Sequence, residues 1–156
     1  MADHELKQII LKMLNAELEA MHYYQQASRF IKDQSACYHF NLLAQEELEH
    51  ARTFYNIYPD NDLPEFEALA KQIPEQHTTI NTLDPKFLYR LNERTALYTA
   101  LKLEEEMANS LKMKLAELTS PAARAVIENN IESTLGHYEL IKEDYQRLFA
   151  SPASAS

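Results

Sequence analysis

Residues 40–57 read FNLLAQEELEHARTFYNI. Phe40, Leu43, Glu47, His50, Phe54 and Ile57 follow one another at alternating steps of three and four, the period of one face of an α-helix. The stripe is apolar at both ends and carries a carboxylate and an imidazole at its centre. Because Glu47 and His50 stand at i and i+3, both side chains project from one face into the same space. Charge on a buried stripe is costly unless it is paired or ligates a metal.

The same register recurs elsewhere. Glu17 precedes His50 by 33 positions, and Glu104 precedes His137 by the same 33. A first helix is predicted over about residues 3–32, with Asp3 as its N-cap and Ile10, Leu14, Glu17, Met21, Tyr24 and Ile31 on one stripe. After the break Asp33–Gln34–Ser35 comes the helix quoted above. Asp84–Pro85, an N-cap followed by Pro at the first helical position, is read as opening the third helix. Its stripe is Leu97, Ala100 or Leu101, Glu104, Met107 or Ala108, Leu111 and Leu118. Ser120–Pro121 opens the fourth in the same way, with Ile127, Asn130, Thr134, His137 and Ile141 on its stripe. An offset of 87 residues lays the second pair on the first without a gap: Glu17 on Glu104, Tyr24 on Leu111, Glu47 on Thr134, His50 on His137.

Connections set the topology. Helices one and two are joined by a few residues, as are three and four, so each pair forms an antiparallel hairpin. Residues 59–83 contain Pro59, Pro64 and Pro74 and are long enough to travel the length of a bundle. A short amphipathic helix is expected there, over about residues 64–72, burying Phe66, Leu69 and Ile73. His77, Thr78, Thr79 and Asn81 read as exposed loop. Hairpin, long crossover, hairpin is the connectivity of a ferritin-like four-helix bundle, so the fold class is all-α. Residues 1–150 form one domain, and the low-complexity residues 151–156 read as a disordered tail.

Composition agrees. With 156 residues, one Gly and six Pro, the chain has a helical composition and room for one core. A net charge of −9 speaks against a nucleic-acid partner and favours cations. Cys37 is the only cysteine, so an intrachain disulfide and a CxxC iron site are both excluded. No stretch approaches the roughly 20 apolar residues of a membrane span. These features imply a cytoplasmic protein without membrane partners.

Metal-binding bundles of this architecture take a Glu from each of two helices and a Glu-x-x-His from each of the other two. Five of those six positions are filled here, by Glu17, Glu47, His50, Glu104 and His137; the sixth is Thr134. The run Glu46–Glu47–Leu48–Glu49–His50–Ala51, with Glu17 seven residues before Tyr24, resembles the ferritin/rubrerythrin family of di-iron proteins. The resemblance implies that Glu17 and Glu104 are terminal ligands, that Glu47 bridges two metals, and that His50 and His137 each bind one. Tyr24 would hydrogen-bond to a ligand. It implies iron as cofactor, with manganese as the alternative metal.

Several departures limit that reading. Thr134 replaces the second bridging carboxylate, Met107 stands where peroxidase-type relatives carry another Glu, and Leu111 replaces the counterpart of Tyr24. Three carboxylates meet the charge of two divalent ions only in part, so two unequal iron sites, or one, are expected. The leading expectation is an oxidoreductase that oxidises Fe(II) with O2 or H2O2 and works with a separate electron donor. The alternative is a helical scaffold or interaction module that has lost full di-metal catalysis. A homodimer through the helix one–two face is the default assembly. His39 is read as a hydrogen-bonded rim residue, Tyr23 and His22 as interhelical or subunit contacts, and Glu46, Glu49, Glu105 and Glu106 as solvated surface.

Overall fold

The computed structural model describes residues 3–74 and 82–149. Four long helices form the bundle: α1 (Asp3–Ala27), α2 (Gln34–Ile57), α5 (Glu93–Glu117) and α6 (Pro121–Phe149). Two short ones, α3 (Phe66–Lys71) and α4 (Pro85–Tyr89), belong to the crossover. There is no strand among the described residues. No helix among them is long and apolar enough to cross a membrane. The exposed loop expected at His77, Thr78, Thr79 and Asn81 and the tail at 151–156 lie outside the described residues.

α1 packs along α2 and α5 along α6, and the two hairpins meet through α2 against α6 and α1 against α5. The antiparallel register of α2 and α6 is written in their polar contacts. Thr53 meets Asn130, His50 meets Ser133, Glu46 meets His137 and His39 meets Asp144. Each step back along α2 is matched by an equal step forward along α6. The core between the helices is aromatic at its centre, with Tyr23, Tyr24, Phe40 and Phe54 fully buried. Burying each such side chain contributes roughly 1.5–3 kcal/mol.

The first break falls earlier than the sequence suggested, before Gln34 and Ser35, which belong to α2. α1 ends at Ala27 and tightens into a 3-10 turn, Ser28–Phe30, closed by the Ile31 N–H on Ser28 O. Asp33 then caps α2 by accepting from the Ala36 N–H at 2.9 Å, while its carboxylate is gripped by Arg147 from the end of α6. Glu93, in the first turn of α5, accepts the backbone N–H groups of Lys32 and Asp33. One corner thus ties three long helices together.

The third helix starts later than expected. Asp84 does cap a helix, accepting from the Lys86 N–H, but that helix is α4 and stops at Tyr89. The bundle helix α5 begins with a second cap, Asn92, whose side chain accepts from the Thr95 N–H while Thr95 bonds back to the Asn92 N–H. Two successive start signals, the second stronger, split what looked like one helix.

The crossover is anchored by Phe66, which is buried and lies edge-on to Tyr55 and under the Arg52 guanidinium. Leu69 is half-buried, but Ile73, expected inside, is 73% exposed. It falls after α3 has ended, where helical periodicity no longer directs it inward. His22 bonds to Ala70 O, joining α1 to α3.

Candidate metal centre

Each long helix sends one or two polar groups into the middle of the bundle, at the point where its stripe departs from apolar residues. α1 supplies Glu17, α2 Glu47 and His50, α5 Glu104, and α6 His137 and Thr134. Glu17, Glu47, Glu104, Thr134 and His137 are buried, and the His50 side chain is 14% exposed. One turn away on each helix the neighbours are Leu14, Met21, Leu43, Phe54, Met107 and Ile141, all buried. The centre is therefore closed off along the bundle axis.

Glu47 is the hub. Its Oε1 lies 3.3 Å from His50 Nδ1 and 2.9 Å from His137 Nδ1. Glu17 Oε2 approaches His50 Nδ1 at 3.4 Å, and Glu104 Oε1 approaches His137 Nδ1 at 3.6 Å. The two imidazoles stack with centroids 5.4 Å apart and planes 11° from parallel. Both turn Nδ1 into the centre and Nε2 out of it. On the outer side, His50 Nε2 meets Ser133 Oγ at 2.9 Å and His137 Nε2 meets Glu46 Oε2 at 2.7 Å. Tyr24 donates from its hydroxyl to Glu104 Oε1 at 2.6 Å.

The inner atoms are short of hydrogen bonds. Both Glu47 oxygens, Glu17 Oε2, Glu104 Oε2, both Nδ1 atoms and Thr134 Oγ1 are buried, and none makes a hydrogen bond of acceptable geometry. Unsatisfied buried polar atoms cost about 1–3 kcal/mol each, more when charged, and they are rare. Three of these residues share one small volume: the donor atoms of Glu47, His50 and His137 lie within 4.8 Å of one another. Carboxylate oxygens and imidazole nitrogens suit iron or manganese, and a cation would satisfy the atoms that the protein leaves unpaired. The residues present fit a metal.

Protons take the place of cations in the metal-free electrostatics. Burial disfavours charged imidazoles, yet the contacts of Glu17 and Glu47 raise His50 to about 10, and those of Glu104 and Glu47 raise His137 to about 11. Burial also works against a charged Glu47, but the two histidines outweigh it and hold that carboxyl well below its usual range. Glu17 and Glu104 go the other way, pushed up by burial and by the Glu47 charge. Burial, followed by the charge of Glu104, raises the Tyr24 phenol well above its ordinary value. It therefore stays a donor.

The structure brings Glu17, Tyr24, Glu47, His50, Glu104 and His137 together as the stripes required. Thr134, the counterpart of Glu47 in the 87-residue register, is buried, and its hydroxyl has no hydrogen-bond partner. Glu128 and Glu132, acidic alternatives along α6, are exposed. His39 is a rim residue paired with Asp144 at 2.6 Å, and Tyr23 makes an interhelical bond to Ala96 O. Glu46 is the correction: it is half-exposed, yet its carboxylate reaches inward onto His137 instead of belonging to a solvated face. Ser133 lies off the α6 stripe and is not singled out by it. A signal was available, since Glu46 and Ser133 each stand four residues before a histidine, on the 87-residue register that pairs the hairpins.

Another buried carboxylate, Glu19, sits on α1 away from this centre and accepts from Thr82 at 3.2 Å. No curated protein matches the chain. A protein-family model does: the one described as Rubrerythrin covers residues 9–145, all four bundle helices included. That family usually binds iron, and the chain belongs to the rubrerythrin family, within the ferritin-like di-iron carboxylate superfamily.

Proposed function

We propose that this protein binds iron at Glu17, Glu47, His50, Glu104 and His137 and oxidises Fe(II) with O2 or H2O2. The observation that carries this reading is the convergence of both His Nδ1 atoms and a Glu47 oxygen, buried and without hydrogen bonds, on one point. Iron bound there would supply a redox couple and a place for a small oxidant. The protein's part is to hold and insulate it. Glu47, within reach of both imidazoles, is the shared carboxylate, and Glu17 and Glu104 each complete one side. Tyr24 fixes the orientation of Glu104 through its 2.6 Å bond. The buried turns above and below exclude bulk water. The α2–α6 seam, where His50 is partly exposed and Glu46 reaches the surface, offers an approach for an oxidant.

Thr134 makes the halves unequal: Glu17, Glu47 and His50 form a half with its full carboxylate set, while Glu104 and His137 lack one. Uneven occupancy follows. The test is metal analysis after anaerobic loading with Fe(II), followed by stopped-flow oxidation with O2 or H2O2. One or two iron ions per chain, unequally held, and oxidation faster than in free solution are expected. Fewer than about 0.2 iron or manganese ions per chain would sink the reading.

Thr134 also favours a second reading, a scaffold whose core Glu and His form a protonated polar network without metal. In that case neither the native chain nor Thr134→Glu takes up iron.

A further inference from the structure

The crossed contacts behind the two imidazoles carry an inference that rests on the metal reading above. Glu46 on α2 backs His137 on α6, and Ser133 on α6 backs His50 on α2. The two backing residues occupy equivalent positions, four before the histidine of their own helix. They differ in charge. The neutral hydroxyl lies behind the histidine whose half keeps all its carboxylates. The carboxylate lies behind the histidine whose half has Thr134 instead.

We propose that Glu46 is a positioning residue for the His137 side of the centre, returning through the imidazole the negative charge that Thr134 does not supply. Glu46 meets Nε2, the ring nitrogen facing away from Glu47, so it stands outside the ligand set. A carboxylate at 2.7 Å accepts the Nε2–H, which leaves the Nδ1 lone pair directed at the centre and makes the ring a stronger donor. Glu46 together with Glu17, Glu47 and Glu104 brings the carboxylate charge to that of two divalent ions. Ser133, 3.4 Å from His137 Nε2 and 2.9 Å from His50 Nε2, keeps both rings in register without adding charge.

The experiment is titration of metal-free, full-length protein with Co(II), followed by calorimetry and by the visible absorption of the bound ion. The native chain is expected to take two Co(II). Glu46→Gln preserves shape and removes the charge. It should keep one Co(II) at native affinity and bind the other about tenfold to hundredfold more weakly. The absorption lost should be the one lost in His137→Ala, and the metal-free melting temperature should not move. Adding Thr134→Glu to Glu46→Gln should restore the second ion. Ser133→Ala should weaken the ion on the His50 side instead. If Glu46→Gln binds both ions like the native chain, or loses both equally, the inference is overturned and the contact is an ordinary surface ion pair. A native chain that binds no Co(II) overturns the metal reading itself, and this inference with it.

Discussion

The α1–α2 hairpin and the α5–α6 hairpin present the same scaffold with different chemistry. The first brings Glu17, Tyr24, Glu46, Glu47 and His50 to the bundle centre. The second brings Glu104 and His137, with Leu111 at the position of Tyr24, Ser133 at that of Glu46 and Thr134 at that of Glu47. Three polar groups of the first hairpin serve the second: Tyr24 holds Glu104, Glu46 holds His137, and Glu47 touches both imidazoles. Within the centre, the reverse traffic among the described residues is the Ser133 hydroxyl on His50. One half of an approximately two-fold arrangement can thus lose its side chains while the other supplies the missing contacts across the interface.

The sharpest way to break that comparison is to remove the shared hub. Glu47→Gln leaves two stacked imidazoles without their common counter-charge, and breaking a buried charged contact of this kind costs about 3–5 kcal/mol. Chemical denaturation of the metal-free protein should show that loss. Iron content should fall in both halves at once. Survival of one full iron site in Glu47→Gln would mean that the halves are independent.

A metal-for-proton exchange gives the next largest effect. His50, His137, Glu17 and Glu104 all have folded values above their unfolded ones, so the metal-free fold holds more protons than the unfolded chain near neutral pH. Its stability should therefore decline as pH rises above about 4.5 and continue falling through about 10–11. Glu47, with a lowered value, adds stability above its unfolded value and loses it only in strong acid. Metal affinity must run the opposite way, strengthening with pH as protons leave both Nδ1 atoms. Melting curves with and without Mn(II) from pH 5 to 9 should diverge steadily; parallel curves would show that the imidazoles carry no proton for the metal to displace.

A smaller effect separates the halves at Tyr24. Tyr24→Phe removes a hydrogen bond to a buried carboxyl, expected to cost about 1.5 kcal/mol in metal-free stability. In loaded protein it should disturb the ion beside Glu104 and spare the one beside Glu17. The smallest change tests the helix starts. Asp33→Ala and Asn92→Ala each remove a side-chain cap, at about 1 kcal/mol. Asp33→Ala should cost more because it also frees Arg147.

Much of this was legible before any coordinates. Glu47 and His50 sit at fixed steps within an apolar stripe, and the repeat of 33 residues placed Glu17, Glu104 and His137 in the same layer. Asp33 and Asn92 illustrate the limit: both are ordinary cap residues, but a preceding Asp84–Pro85 masked the second. Ile73 reads as part of an apolar face, but α3 ends at Lys71, too early to form it.

What the sequence alone determined is the set of faces, since helical periodicity is a local property of spacing and side-chain polarity. It therefore specified a four-helix, ferritin-like bundle and the layer where its charges meet. Only the tertiary structure decided that Glu46 belongs to His137 and Ser133 to His50. Those pairs join residues 91 and 83 positions apart. Their contact depends on how far α2 slides along α6 as the two pack, a quantity set by the interlocking of side chains across the core and invisible in the spacing along either helix.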